Sequence, residues 1–186
     1  MANKVIELFP SPSADFSQPI EMLEACHQRI LRNCALLRKL AEHLAIDGSD
    51  REAHQAARKI LNYFVEAAPN HHLDEESDLF PALVAAVSAE EKAMLESTIA
   101  RLKSEHISLD AMWRRVQAKL EEVEAGQAGS LTEVSAHNLG AAYEQHIRFE
   151  ESDLLPLARR LLTSDALAQI GASMAARRGV KPPEHR

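Results

Sequence analysis

Two stretches of this sequence share one pattern, and the pattern carries metal-binding side chains. His71-His72-Leu73-Asp74-Glu75-Glu76-Ser77-Asp78-Leu79-Phe80-Pro81 aligns with His146-Ile147-Arg148-Phe149-Glu150-Glu151-Ser152-Asp153-Leu154-Leu155-Pro156. The common form is His-x-x-x-Glu-Glu-Ser-Asp-Leu-x-Pro. A lone histidine precedes each copy: His27 lies 44 residues before His71, and His106 lies 40 before His146. A leucine, Leu23 or Leu102, stands four residues ahead of each lone histidine. The chain therefore reads as two copies of a helix pair, each with one lone His and one His-x-x-x-Glu.

Residues i and i+4 lie on one helix face a turn apart, so a His and a Glu at this spacing converge on a point beside the helix. The histidines sit on apolar stripes: His106 with Ile99, Leu102, Leu109 and Trp113; His27 with Leu23, Ile30 and Leu31; His146 with Leu139, Ala142 and Tyr143. They are expected to point into a bundle, where four imidazoles and two carboxylates form a metal site on facing helices. A single His-x-x-x-Glu is what chance supplies, usually as a solvated pair. His72 and Glu76 form a third instance, assigned to chance because the repeat aligns His71 with His146. His43, His54, His137 and His185 are expected at the surface.

The elements that must position these residues follow from composition and punctuation. The 186 residues are 46% hydrophobic but only 4% aromatic, with 6 glycines, and the apolar content is mostly Ala and Leu. That composition favours an all-α fold of one domain. Residues 1–17 read as an irregular arm. A first helix is expected over 18–45, with Ser17 as N-cap and Pro19 in its first turn. Asp47-Gly48-Ser49-Asp50 ends it and caps a second helix from Arg51, which Pro69 should kink or interrupt and Pro81 disturb again. Ser88 to Glu91 reads as a capping box opening a third helix to about Glu124, stopped at Gly126 and Gly129. Ser130 to Glu133 reads as another box, opening a fourth helix to about Leu162, disturbed at Pro156. These four helices, 18–163, predict an up-down-up-down bundle. A short amphipathic helix near 165–177 should pack across it, ahead of a loose tail within 164–186.

Net charge is −7 with histidines neutral, and no block of Lys or Arg occurs. Nucleic-acid and membrane-surface binding are therefore not expected. No leader or membrane span is apparent, so a cytoplasmic protein is expected. Cys26 and Cys34 fall on one helix about 12 Å apart, beyond disulfide reach, and should be packed thiols.

The order His, His-x-x-x-Glu, His, His-x-x-x-Glu over residues 20–160 resembles the hemerythrin family, in particular its bacterial HHE cation-binding branch. The Glu-x-x-His pattern of ferritin-like sites is absent at His71, His106 and His146 and occurs only once, at Glu24–His27. The resemblance implies a non-haem di-iron centre bridged by two glutamates and an oxo or hydroxo group, with ligands His27, His71, Glu75, His106, His146 and Glu150. Zinc or manganese could substitute for iron on the same donors. Oxygen-carrying members have a second histidine one turn after the helix-three ligand and an aspartate five after the helix-four histidine. Here those features are replaced by Asp110 and Glu150, a set more similar to that of iron-centre repair proteins, although without their Cys-bearing N-terminal domain. Asp110 is a possible seventh ligand, weighted equally with a solvated residue. Two octahedral irons offer about twelve positions, of which imidazoles, carboxylates and the bridge fill about ten. The centre should thus be more open than a carrier's. Glu24 and Tyr143 are candidates to orient the ligands, whereas Glu76 and Glu151 are expected to face solvent.

The function expected is binding, carriage or sensing of O2 or NO, or a part in iron homeostasis. The alternatives are a di-iron oxidoreductase removing peroxide or NO, an iron donor in iron–sulfur repair, and a metal-free interaction bundle.

Overall fold

The structure is a computed structural model that describes residues 15–127 and 130–181. The tail histidine His185 and the expected helix stop at Gly129 lie outside the described residues, as does most of the N-terminal arm. Helix α1 spans Pro19–Ile46, α2 Arg51–Asp74, α3 Phe80–Ala86, α4 Ala89–Glu124, α5 Glu133–Phe149, α6 Leu155–Leu161 and α7 Ser164–Arg177. Two π-turns, Glu75–Leu79 and Glu150–Leu154, join α2 to α3 and α5 to α6, so that each pair forms one long rod. Among the described residues there is no strand.

The bundle is a ring in which α1 packs on α2, α2 on α4, α4 on α5 and α5 on α1. Short links between sequential neighbours give up-down-up-down topology. The buried residues of α4 are Leu95, Ile99, Leu102, His106, Leu109, Trp113, Val116, Leu120 and Val123. They alternate at spacings of four and three, the heptad stripe that suits helices packed about 20° off antiparallel. His106 occupies a core position in that stripe. In α1 the stripe runs Leu23, His27, Ile30, Cys34, Leu37, Ala41, again with a histidine in line.

The core is consequently split. One apolar cluster gathers Ile30, Phe64, Ala68, Leu109, Trp113, Tyr143 and Ile147. The other gathers Leu23, Leu79, Phe80, Leu102, Leu154 and Leu155. Between them each rod contributes its histidines and carboxylates, so the polar layer is sealed on both sides.

Several local expectations are corrected. Pro69 lies within an unbroken α2. The carbonyl deprived of its partner is that of Val65, a residue on the exposed side where water can serve it. Ser17 does not cap α1; its N–H and hydroxyl both donate to Asp15, and Gln18 is the N-cap with no side-chain bond. The last box is shifted by two residues: Thr132 and Ser135 form it. Asp50 and Ser88 cap as expected, accepting from the Ala53 and Glu91 amides. Gly126, with φ of 76°, ends α4 in the left-handed conformation that glycine adopts without a Cβ penalty.

The disturbances expected at Pro81 and Pro156 take the form of the two π-turns. The amide of Phe80 reaches back to the Glu75 carbonyl, and that of Leu155 to the Glu150 carbonyl, five residues away in both copies. Proline has no N–H and its ring crowds the preceding turn, so widening that turn by one residue relieves the conflict.

Candidate metal centre

All six expected donors come together in the sealed layer. His27, Glu75 and Glu150 are completely buried, and His71, His106 and His146 nearly so. Their ligand atoms form two groups, His27, His71, Glu75, Glu150 and Glu75, His106, His146, Glu150, each with all atoms within 4.8 Å of one another. The two glutamates belong to both groups. Glu75 turns Oε1 towards His71 Nε2 at 3.4 Å and His27 Nε2 at 3.9 Å, and Oε2 towards His106 Nε2 at 3.4 Å. Glu150 turns Oε2 towards His27 Nε2 at 3.2 Å and Oε1 towards His146 Nε2 at 3.2 Å. Each carboxylate therefore offers one oxygen to each histidine pair.

Despite these approaches none of the four carboxylate oxygens makes a well-formed hydrogen bond, and neither do His27 Nε2 or either nitrogen of His71. Two buried carboxylates without partners are costly unless positive charge is supplied. Protons can supply it in the metal-free chain. Burial opposes charging of His27, but Glu150, Glu151 and Glu75 outweigh it and hold its pKa well above the usual imidazole value. Burial likewise opposes charging of His146, and Glu150 and Glu105 outweigh it, raising its pKa to about 9. His106 is raised in the same way against burial, by Glu75 and Glu76. Burial keeps His71 neutral. Glu75 is held well below the carboxylate range because the histidines overcome burial, and Glu150 is lowered against burial and against Glu75. The layer is thus an ionised, cation-demanding site.

An outer ring of carboxylates fixes the imidazoles. Glu76 Oε1 lies 2.6 Å from His106 Nδ1, Glu105 Oε2 2.8 Å from His146 Nδ1, and Glu151 Oε1 3.1 Å from His27 Nδ1. An Nδ1–H donating outward leaves Nε2 as the inward ligand atom, the usual way metal-binding histidines are oriented. Glu76 and Glu151 are therefore not solvated bystanders, correcting the expectation. Their presence at the same place in both repeats was a usable signal. Their direction was not, because it depends on the π-turn, over which successive side chains fan by less than the α-helical 100°.

Other expected roles fall away. Asp110 is exposed and pairs with Arg114 at 2.8 Å, outside both donor groups. Glu24 pairs with Arg159 at 2.7 Å, and Tyr143 packs in the core beside Phe64. Of the histidines expected at the surface, His137 is exposed as expected, whereas His43, paired with Asp50 and Asp47, and His54, beside Ser49, are half-buried. His72, assigned to chance, instead lies against the centre: its ring stacks on His106 at 3.9 Å between centroids. Cys26 and Cys34 are free and buried, as expected. A cleft of about 140 Å³ reaches His146 past Glu105, Leu109 and Met112. No helix among the described residues is long and apolar enough to cross a membrane.

Comparison with known proteins agrees with this geometry. The hemerythrin HHE cation-binding domain model matches residues 18–158. A protein of Haemophilus influenzae, described only as uncharacterized, is 34% identical over 174 residues, covering 94% of this chain and 98% of the relative. The repeated His-x-x-x-Glu, the bundle that buries it and the match across its whole length lead to one statement of kinship: the chain belongs to the hemerythrin family of HHE cation-binding domains.

Proposed function

We propose that this protein holds two iron ions, one on His27 and His71 and one on His106 and His146, with Glu75 and Glu150 bridging them. The observation that carries the reading is the sharing of both carboxylates between two histidine pairs, with four oxygens that have no other partner. Imidazole and carboxylate donors fit iron, and also accept zinc or manganese. Bound iron would supply a redox-active Lewis acid able to take a small ligand such as O2, NO or peroxide. The chain's own residues do the rest. Glu76, Glu105 and Glu151 hold three imidazoles in the donor tautomer. The apolar clusters above and below exclude bulk water. The cleft beside His146 has the size and apolar lining to pass a diatomic molecule.

The role that follows is binding, carriage or sensing of such a ligand, with iron homeostasis as a related use of the same site. Aerobic purification, metal content per chain, and visible spectra before and after dithionite and re-oxygenation test it. Two irons per chain with bands that bleach and return support it. Folded protein without metal, taking up none with ferrous iron under anaerobic conditions, overturns it. Titrations with NO and peroxide then separate reversible adduct formation from turnover.

A further inference from the structure

His72 has no counterpart in the second repeat. Because His71 aligns with His146, the residue matching His72 is Ile147, which packs in the apolar core. The two halves of the centre thus differ by one imidazole. His72 lies nearly parallel to His106, with 10° between the ring planes, and edge-on to His146 at 6.4 Å. Its ligand nitrogen falls with those of His106 and His146 in a third donor group, all within 4.8 Å. Its Nε2 is shut off from solvent and has no hydrogen-bond partner. A buried ring nitrogen left unpaired is unfavourable, and the other repeat shows that an aliphatic side chain can fill this position. The histidine therefore needs a reason to be there, and packing alone does not provide one.

We propose that His72 is a fifth imidazole of the centre, donating Nε2 to the metal held by His106 and His146. This rests on the two-metal reading above. It makes the metals inequivalent, with two histidines on one and three on the other. It also supplies from α2 the additional donor that Asp110 on α4 does not. Cis imidazole nitrogens on an octahedral ion stand about 3 Å apart, given metal–nitrogen bonds of about 2.1 Å. An imidazole holds a metal in its own ring plane, so the nearly parallel, stacked rings of His72 and His106 must turn apart for both to ligate one ion.

The test uses the full-length protein loaded with enriched iron, and reads iron content and Mössbauer spectra. Wild type is expected to show two distinct doublets of equal area. His72→Phe keeps the stacked ring but removes the nitrogen, and His72→Ile copies the other repeat. In either variant one doublet is expected to shift towards the other, or iron to fall from two per chain to one, while the remaining signal is unchanged. Two irons with the wild-type spectrum in a folded variant would overturn the role of His72 and leave the two-iron site standing. Wild-type protein without two irons would instead overturn the reading beneath it. A crystal structure of metal-loaded wild type decides the matter without a variant: Nε2 at about 2.1 Å from the metal is expected, and a separation beyond about 3 Å refutes it.

Discussion

At the scale of single residues, the site works through charge that has nowhere else to go. Glu75 and Glu150 are ionised in a buried layer, and His27, His106 and His146 facing them favour the charged form when metal is absent. This gives the metal-free protein a definite pH dependence. His27, His106 and His146 have raised folded pKa values, so the stability they contribute is present below the ordinary imidazole pKa and is lost as pH rises through their folded values, to about 9 for His146. His71 is lowered by burial and His72 is lowered to about 2, mainly by burial, so these two cost stability as pH falls below the ordinary value. Melting temperature of the metal-free chain should therefore peak near neutrality and decline towards pH 9. Metal loading near neutral pH should release protons, measurable in weakly buffered solution. The outer carboxylates give a second expectation. Glu76→Gln and Glu151→Gln should each weaken metal binding about 10- to 100-fold in chelator competition, with the helical signal retained. Unchanged affinity would show that His106 and His27 are oriented by packing alone.

At the scale of elements, α7 closes one flank of the centre. Asp74, fully buried one residue before Glu75, is bound by Arg177 and by Arg178, the latter at 2.6 Å, and Arg177 also reaches Asp78 at 2.7 Å. A buried carboxylate held from two arginines is strongly ordered, but these arginines keep some contact with water. Asp74→Ala should thus cost about 1–3 kcal/mol in denaturant unfolding, below the 3–5 of a wholly buried pair. Gly171 lets α7 lie directly on the chain entering α1: a Cβ there would stand 1.9 Å from the Phe16 carbonyl oxygen. Gly171→Ala must push that segment away and should lower the melting temperature, whereas Gly140→Ala displaces only the end of the Arg38 side chain from its pairing with Glu144 and should cost less. The π-turns belong to this scale as well. Each presents two adjacent glutamates to the bundle, one lying between the two histidine pairs and one against an imidazole on a different helix.

At the scale of the molecule, the hydrophobic core is divided into two clusters with the polar layer between them. Cations that bind the folded chain stabilise it by mass action, about 2.7 kcal/mol at a hundredfold excess over the dissociation constant. In a chain of 186 residues that corresponds to roughly 5–10 °C in melting temperature. Chelation of the purified protein should lower the transition by that amount, and ferrous iron should restore it. A transition indifferent to metal would mean that the layer is held by proton-charged pairs alone.

The sequence by itself determined the helical class, the long elements and the six converging donors. Each of these depends on spacing within a helix, and 3.6 residues per turn is a local rule. His106 in the stripe from Leu95 to Val123 was legible for that reason, as were the duplicated motifs. Pro81 and Pro156 marked where the rods are irregular. Which neighbours face one another was left to the tertiary structure. The wide turns after Glu75 and Glu150 aimed Glu76 and Glu151 at histidines on other helices. The packing of α4 left Asp110 at the surface, where it pairs with Arg114 one turn along the same helix. The approach of α2 to α4 laid His72 over His106. The contacts of Glu76, Glu151 and His72 do not follow from periodicity, because each joins residues on different helices, and the relative rotation of those helices is fixed only when the bundle packs.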